Sequence, residues 1–405
     1  MRILFFTPRQ CWPPDTGAKL RDFYLVRELA RRAEVTYLGF LDPAAPTIDK
    51  DFDSQFERVV MVARGTGYSP LTLVRGLLSP VPANVLIYTS EGMRSQLSRL
   101  LRETAFDIIH VSGVHLAQYL PVIEKATSPA AIWVDWHNIE SELMERYAQR
   151  AGNPLIRGYA RQTAQGLKRL EKKVLATCAS VSVPSARERD VIMSRYPDCC
   201  PVQVIKNGVD TAQLASANSS NASNESRRSL VFIGSMDYHA NVDAVIWFVN
   251  EIWPLISSAE PDLKFRIVGR RPGREVQALA SQPHVEITGR VEDIRPYYAA
   301  ALAAVVPLRV GGGTRLKILE AMAAGVPVVS SRLGAEGLHV RGGRDLLFAE
   351  TAQEYVRAIS KLRTNSEYWR TMSRAGRALV ATNYDWSAIG ATLFSLQKEL
   401  RTGAD

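Results

Sequence analysis

Cysteine is scarce in this chain, with four in 405 residues. Cys11, Cys178, Cys199 and Cys200 show no zinc-ligand spacing, and an adjacent pair is a poor disulfide framework. The pattern predicts reduced thiols and a cytoplasmic protein. No run reaches about 18 apolar residues, so no segment is expected to span a membrane. Met1-Arg2 is followed only by Ile3-Leu4-Phe5-Phe6-Thr7 before Pro8, too short for the apolar part of a signal peptide. RRM, KH and zinc-finger patterns are absent, which leaves nucleic acid out of the expected partners. No G-x-G-x-x-G follows the first apolar run, and Gly269 to Gly273 has the wrong spacing, which argues against a nicotinamide-dependent oxidoreductase. No His, Cys and carboxylate pattern suggests a metal, so neither metal nor cofactor is expected. Asp51-Phe52-Asp53 is a D-x-D triplet, but about one is expected by chance in a chain this long, and it lies away from any predicted strand end.

Acidic residues are outnumbered, 41 against 50 basic, for a net charge of +9. That balance favours anionic partners such as nucleotides, diphosphates or anionic lipid. The excess is uneven. Arg146, Arg150, Arg157, Arg161, Lys168, Arg169, Lys172 and Lys173 face only Glu142, Glu145 and Glu171 within one stretch. Such a stretch is either a solvated helix face or a surface for phospholipid headgroups.

What is plentiful is alternation of short apolar runs with helical patterns. In the first half the predicted strands are Ile3–Thr7, Val35–Phe40, Val59–Val62, Ile108–Val111, Ile132–Asp135, Val181–Pro184 and Val202–Ile205. Several are unbroken β-branched runs, as expected for strands covered on both faces. An amphipathic helix is predicted over about Ala18 to Arg31. The Asn- and Ser-rich run Ala215–Ser229 then breaks the pattern. Strands resume at Leu230–Ile233, Phe265–Val268, Val285–Thr288, Ala303–Pro307, Val326–Ser330 and Leu346–Phe348. Two βαβ arrays in tandem predict an α/β fold of two doubly wound, Rossmann-like domains with a cleft between them. The expected division is 1–207, 208–384 and a terminal helix over 385–405. Ligands of such sheets bind beyond the carboxyl ends of the strands.

The segment Pro307 to Ser330 carries most weight. After a strand come Gly311, Gly312 and Gly313, then Thr314 as a predicted N-cap, a helix over about Arg315 to Ala324, Gly325 at its end and a new strand from Val326. Glycines admit close approach of a ligand, and free N–H groups at the helix start suit a diphosphate, helped by Arg315 and Lys317. Glu320 stands roughly 9 Å further along the axis at about 1.5 Å per residue, suited to ribose hydroxyls. A capped glycine turn with no ligand has the same local pattern.

The glycine-rich loop, Lys317-Ile318-Leu319-Glu320-Ala321-Met322-Ala323 and Gly325-Val326-Pro327-Val328-Val329 together closely resemble the donor-binding signature of glycosyltransferase family 4. The resemblance extends over the chain, through Val204-Ile205-Lys206-Asn207-Gly208-Val209-Asp210, Phe232-Ile233-Gly234-Ser235, Ile267-Val268-Gly269-Arg270, Ile287-Thr288-Gly289-Arg290-Val291 and Tyr384-Asp385-Trp386. It implies a GT-B fold with a last helix returning to the first domain. It also implies metal-independent transfer, with retention, of a sugar from a nucleotide-sugar donor to a glycan or polyprenyl-linked acceptor in cell-surface polysaccharide synthesis. Gly17, Gly234, Arg290, Gly312, Gly313, Thr314 and Glu320 are then donor-binding positions, and His137, Arg315 and Lys317 catalytic ones. Gly312 stands where many members have a first, sugar-handling glutamate. Ser235-Met236-Asp237-Tyr238-His239-Ala240-Asn241 lacks the Arg and Lys that many members carry there, so the phosphate charge is expected from Arg315 and Lys317, with Arg309 behind them.

In the first half, Gly17 opens a helix after the first strand, and His137 follows the strand Ile132–Asp135. Asp135 and Asn138 are weaker candidates, and His110 and His115 flank another strand end. Tyr68 to Tyr88 is an irregular, partly apolar stretch. Beside the basic helix it suits a lipid-linked acceptor and peripheral contact with an anionic membrane, at the inner face of the plasma membrane. A sugar-nucleotide epimerase, a phosphorylase or a non-catalytic sugar-nucleotide sensor would share the fold.

Overall fold

A computed structural model of the chain describes residues 1–14, 16–41, 50–64, 72, 74–76, 79, 81–126, 130–215, 227–310 and 315–402. These divide into two compact units, Met1–Lys206 with Ile389–Asp405, and Asn207–Ala388.

The first unit is built on seven strands: β1 (Arg2–Thr7), β2 (Glu34–Leu41), β3 (Arg58–Ala63), β4 (Ile108–Ser112), β5 (Ala131–Asp135), β6 (Ser180–Val183) and β7 (Val202–Val204). Their order is β3-β2-β1-β4-β5-β6-β7, with every pairing parallel. Ile3, Leu4, Phe5 and Phe6 are all fully buried, which is why the apolar run is unbroken. Each such side chain stabilises the fold by about 1.5–3 kcal/mol relative to exposure. The chain leaves β1 toward β2 on one side, while β4 pairs on the other, so the order reverses between β1 and β4.

The helix after β1, Gly17–Ala30, departs from simple amphipathicity. Arg21, Asp22 and Glu28 are as buried as Phe23 and Leu25. Polar residues are tolerated inside because each is paired: Glu28 with Arg31 and Arg32, Arg21 and Asp22 with partners described below. The terminal helix Trp386–Thr402 joins this packing from residue 389 onward. Gly390 lies directly on Glu28, where an added Cβ would sit 2.2 Å from the Glu28 Cβ. Gln397 hydrogen-bonds His110 at 2.9 Å.

The second unit holds β8 (Ser229–Ile233), β9 (Lys264–Val268), β10 (Val285–Gly289), β11 (Ala301–Val306), β12 (Val328–Ser330) and β13 (Leu347–Phe348). The order is β10-β9-β8-β11-β12-β13, again parallel, with its reversal between β8 and β11. Val209 and Asp385 form a parallel bridge, with the Val209 N–H bonded to the Tyr384 carbonyl at 2.8 Å. Asp385 caps the last helix, accepting from the Ser387 N–H at 2.8 Å, and also accepts from Thr211. Two segments singled out in the sequence, around Val209 and around Asp385, thus hold each other.

Candidate functional site

In both sheets the candidate residues gather where the strand order reverses, at the carboxyl ends of the strands. In the second unit, Gly234 follows β8, Gly269 follows β9, Arg290 follows β10, and the helix Leu316–Ala323 comes after β11. The backbone at this edge is tight. A Cβ on Gly269 would stand 1.7 Å from the Gly234 carbonyl oxygen, so no side chain fits.

The helix begins one residue later than its sequence suggests. Arg315, not Thr314, occupies the capping position, with φ −88° and ψ 70° and no side-chain cap bond. Gly312, Gly313 and Thr314 lie outside the described residues. Arg315 is buried, and burial lowers its pKa, with Tyr238 and Glu336 opposing.

Lys317 is the second residue of the helix. Its Nζ donates to Asn241 Oδ1 at 2.6 Å and lies 3.9 Å from the Phe232 ring centroid. A Cβ on Gly234 would meet Nζ at 2.9 Å and Asn241 Nδ2 at 2.8 Å. Asn241 in turn donates to the Ser235 carbonyl at 2.8 Å. Lys317 therefore brings its charge to the loop after β8, the loop that carries no cation of its own up to Asn241. Burial pushes the Lys317 ammonium down to about 7, with Arg315 adding to the fall and Glu320 opposing it. Glu320 faces the Tyr298 phenol, and burial raises its pKa against the pull of Lys317 and Tyr298.

Two further cations were singled out in the sequence, Arg309 and Arg290. Arg309 is engaged by Asp243 at 2.6 Å and stacks 5.1 Å from Trp247. Arg290 is exposed and makes no ion pair with a described residue. It stands beside Gly289, whose φ of +69° lies in the left-handed region that favours glycine.

In the first unit, Thr7 ends β1, Ser112 ends β4, and Asp135 ends β5, with His137 two residues on. Sequence reasoning missed the residue that ties them together, Asp22. Its carboxylate is fully buried and accepts from Ser112 Oγ at 2.6 Å and Thr7 Oγ1 at 3.1 Å. His137 Nε2 lies 3.0 Å from Asp22 Oδ1. A carboxylate only accepts, so Nε2 carries the hydrogen and Nδ1 is the nitrogen open to a ligand. Burial opposes ionisation of Asp22, but His137, Arg9 and Ser112 outweigh it and hold the carboxyl below its usual range.

Asp135 forms a bidentate pair with Arg21, both contacts 2.7 Å, and accepts from Ser182. Burial opposes its charge and Arg21 overcomes it, so its pKa is strongly lowered. Arg21 also donates to the Lys206 carbonyl at 3.2 Å. Asp135 is thus an anchor. His137, Asn138, Arg9, Gly113, His115 and Glu140 line a small pocket. Burial drives His115 down to about 3 and raises Glu140, which Arg9 and His137 oppose.

His110 is excluded from ligand contact: it is buried, stacked 4.5 Å from Phe5 and lowered by burial to about 4. Gly17 opens its helix under the Thr16 cap, and a Cβ there would meet nothing within 4 Å. Among the described residues that space is open. Phe52 of the D-x-D triplet packs against Trp12, Phe23, Tyr37 and Phe56, while Asp51 and Asp53 are exposed. Among the described residues no three His, Cys, Asp or Glu side chains are placed to hold a metal ion. Much of Tyr68 to Tyr88 lies outside the described residues.

Two nucleotide-type sheets, each with polar residues at its reversal point, define the GT-B class. The chain belongs to the glycosyltransferases of family 4 and group 1: residues 23–213 match Glycosyltransferase Family 4 and residues 227–365 match Glycosyl transferases group 1. It is similar to a phosphatidyl-myo-inositol mannosyltransferase of Mycobacterium leprae, 26% identical over 204 residues, 49% of this chain and 54% of that one. It is also similar to an uncharacterized 44.6 kDa protein in the cps region of Klebsiella pneumoniae, 22% identical over 173 residues, 41% of this chain and 45% of that one. The matched region thus spans about half the length of these curated relatives. Among solved structures, a sucrose-phosphate synthase from Thermosynechococcus elongatus superposes with TM-score 0.70 at 18% identity, covering 100% of both chains. Anabaena Alr3699/HepE in complex with UDP and glucose superposes with TM-score 0.64 at 15% identity, covering 98% of this chain and 99% of that one. Both likenesses concern the fold.

Proposed function

We propose that the protein transfers a sugar, with retention, from a nucleotide-sugar donor to a glycan or polyprenyl-linked acceptor in polysaccharide synthesis. The observation that carries this reading is Lys317, which reaches from the helix after β11 to Gly234 after β8, with Glu320 one turn further on the same helix. The departing nucleoside diphosphate gains negative charge as the glycosidic bond breaks. Lys317, Arg315 and the positive end of the helix are fixed donors that stabilise that charge with no metal required. Glu320 takes the ribose hydroxyls, Arg290 and Gly234 line the nucleotide, and the family resemblance gives Gly312, Gly313 and Thr314 the diphosphate. Gly17 leaves space for the sugar end, and His137, held by Asp22, hydrogen-bonds the transferred sugar through Nδ1. The relative from a cps region supports a role in polysaccharide synthesis.

The acceptor reading also assigns the protein to the cytoplasmic face of an anionic membrane. The support is the helix Pro154–Thr177. Arg161, Arg169, Lys172 and Lys173 lie along it exposed, with no carboxylate partner among the described residues, near the spacing of one helix face. The acidic residues nearby are taken: Glu142 by Arg146 and Arg187, Glu145 by Lys168, and Glu171 by Ser141. Leu155 at the helix start is 82% exposed. No described helix is long and apolar enough to cross a membrane.

Release of free nucleoside diphosphate from a donor panel, with and without lipid-linked acceptor, tests transfer. Binding without turnover would instead indicate a sugar-nucleotide sensor. Sedimentation with anionic vesicles at low salt tests the membrane contact, and protein left in the supernatant removes it.

A further inference from the structure

Far from these residues in the sheet, at the amino ends of β6 and β7, three cysteines meet. Cys178 is the C-cap of the helix Pro154–Thr177, its N–H bonded to the Val174 carbonyl, and it is 6% exposed. Its Sγ lies 3.4 Å from Cys200 Sγ, across 22 residues of chain. Cys199 and Cys200 are half-buried and so within reach of solvent. Cys200 is fixed by its N–H bond to the Leu175 carbonyl at 3.3 Å, one turn back on the same helix. The two thiols are therefore held face to face by the end of one helix.

Their surroundings differ in a way that assigns roles. Cys178 stands at the negative end of a long helix and is buried, both of which disfavour a thiolate. Cys200 is less buried, and the S–H···S contact with Cys178 outweighs its burial and lowers its pKa. One sulfur is set up to attack and the other to resolve.

We propose that Cys200 and Cys178 form a thiol–disulfide exchange site that takes low-molecular-weight disulfides and closes into an intrachain Cys178–Cys200 bond. The Cys200 thiol loses its proton to solvent, and the thiolate attacks one sulfur of the incoming disulfide. The S–S bond breaks, and half the reagent leaves as a thiolate that takes up a proton. Cys178 then loses its proton, its sulfur attacks Cys200 Sγ, and the second half leaves in the same way. Two protein thiols are oxidised and one external disulfide is reduced to two thiols. The new bond ties the helix end to the segment entering β7 and touches none of the residues assigned to sugar transfer.

The test is a thiol count and peptide map of the full-length protein after incubation with oxidised glutathione and alkylation. The expected result is loss of two of the four thiols, a cross-linked peptide pair joining Cys178 to Cys200, and full reversal by dithiothreitol. Cys199→Ser leaves that link intact. Cys178→Ser stops at a glutathione adduct on Cys200. Four thiols retained in the wild type, a Cys199–Cys200 link or a link between chains would each overturn the proposal. The wild-type map decides even where Cys178→Ser fails to fold.

Discussion

Asp22 and His137 are 115 residues apart in sequence, yet Asp22 Oδ1 and His137 Nε2 lie 3.0 Å apart. The carboxylate is buried beneath Thr7 and Ser112, and the imidazole that it holds lines the small pocket. That contact fixes which ring nitrogen faces a ligand. Asp22→Asn keeps the volume and removes the charge. We expect kcat to fall by roughly 100-fold, the lower end of the range for positioned proton donors and acceptors, with the donor KM within a few-fold. Steady-state kinetics on the variant checks this, and an unchanged kcat would detach His137 from the chemistry.

Gly17 separates ligand contact from folding. A Cβ there meets no atom of a described residue within 4 Å, and alanine favours a helix by about 0.5–1 kcal/mol over glycine. Gly17→Ala is therefore expected to keep or slightly raise the melting temperature while weakening turnover. A variant with full activity would show that the space is not used by substrate.

Arg21 and Asp135 are a buried ion pair whose loss leaves one charge uncompensated. Arg21→Ala is expected to destabilise the first unit by about 3–5 kcal/mol, read from denaturant unfolding. The Asp135 carboxyl is depressed in the folded state, so its contribution is present above the unfolded carboxylate pKa and lost as pH falls through the folded value. Acid should therefore erase the difference between Arg21→Ala and wild type.

Lys317 titrates near pH 7 because it is buried beside Arg315. A bound diphosphate favours the charged ammonium and raises that value, so binding above pH 7 takes up protons. Calorimetry in buffers of different ionisation enthalpy should show the uptake in the wild type and its loss in Lys317→Met. A buffer-independent heat would place the diphosphate elsewhere.

The residues made some of this legible and hid the rest for physical reasons. Strands covered on both faces are unbroken apolar runs, so Ile3–Thr7 and Ala303–Pro307 announce themselves. His137 stands just after such a run and Lys317 near the start of the helix that follows one, where ligands of parallel sheets bind. Asp22 does not stand out, because a charged residue inside a helical pattern reads as solvent-facing. Only the packing of Thr7, Ser112 and His137 over it makes it internal. Asn241 and Lys317 are 76 residues apart, and Cys178 and Cys200 are separated by a strand and a helix. Such contacts arise from register and topology, which periodicity does not carry. The helix cap at Arg315 in place of Thr314 shows the same limit at the scale of one residue.

The central claim is that the helix Leu316–Ala323 holds the donor, with Glu320 taking the ribose. The most direct measurement is thermal stabilisation by a panel of UDP-, GDP- and ADP-sugars, in wild type and in Glu320→Ala. The account predicts that sugars of one nucleotide raise the wild-type melting temperature and that Glu320→Ala abolishes the shift while staying folded. An equal shift in Glu320→Ala, or no shift with any nucleotide-sugar, would contradict it.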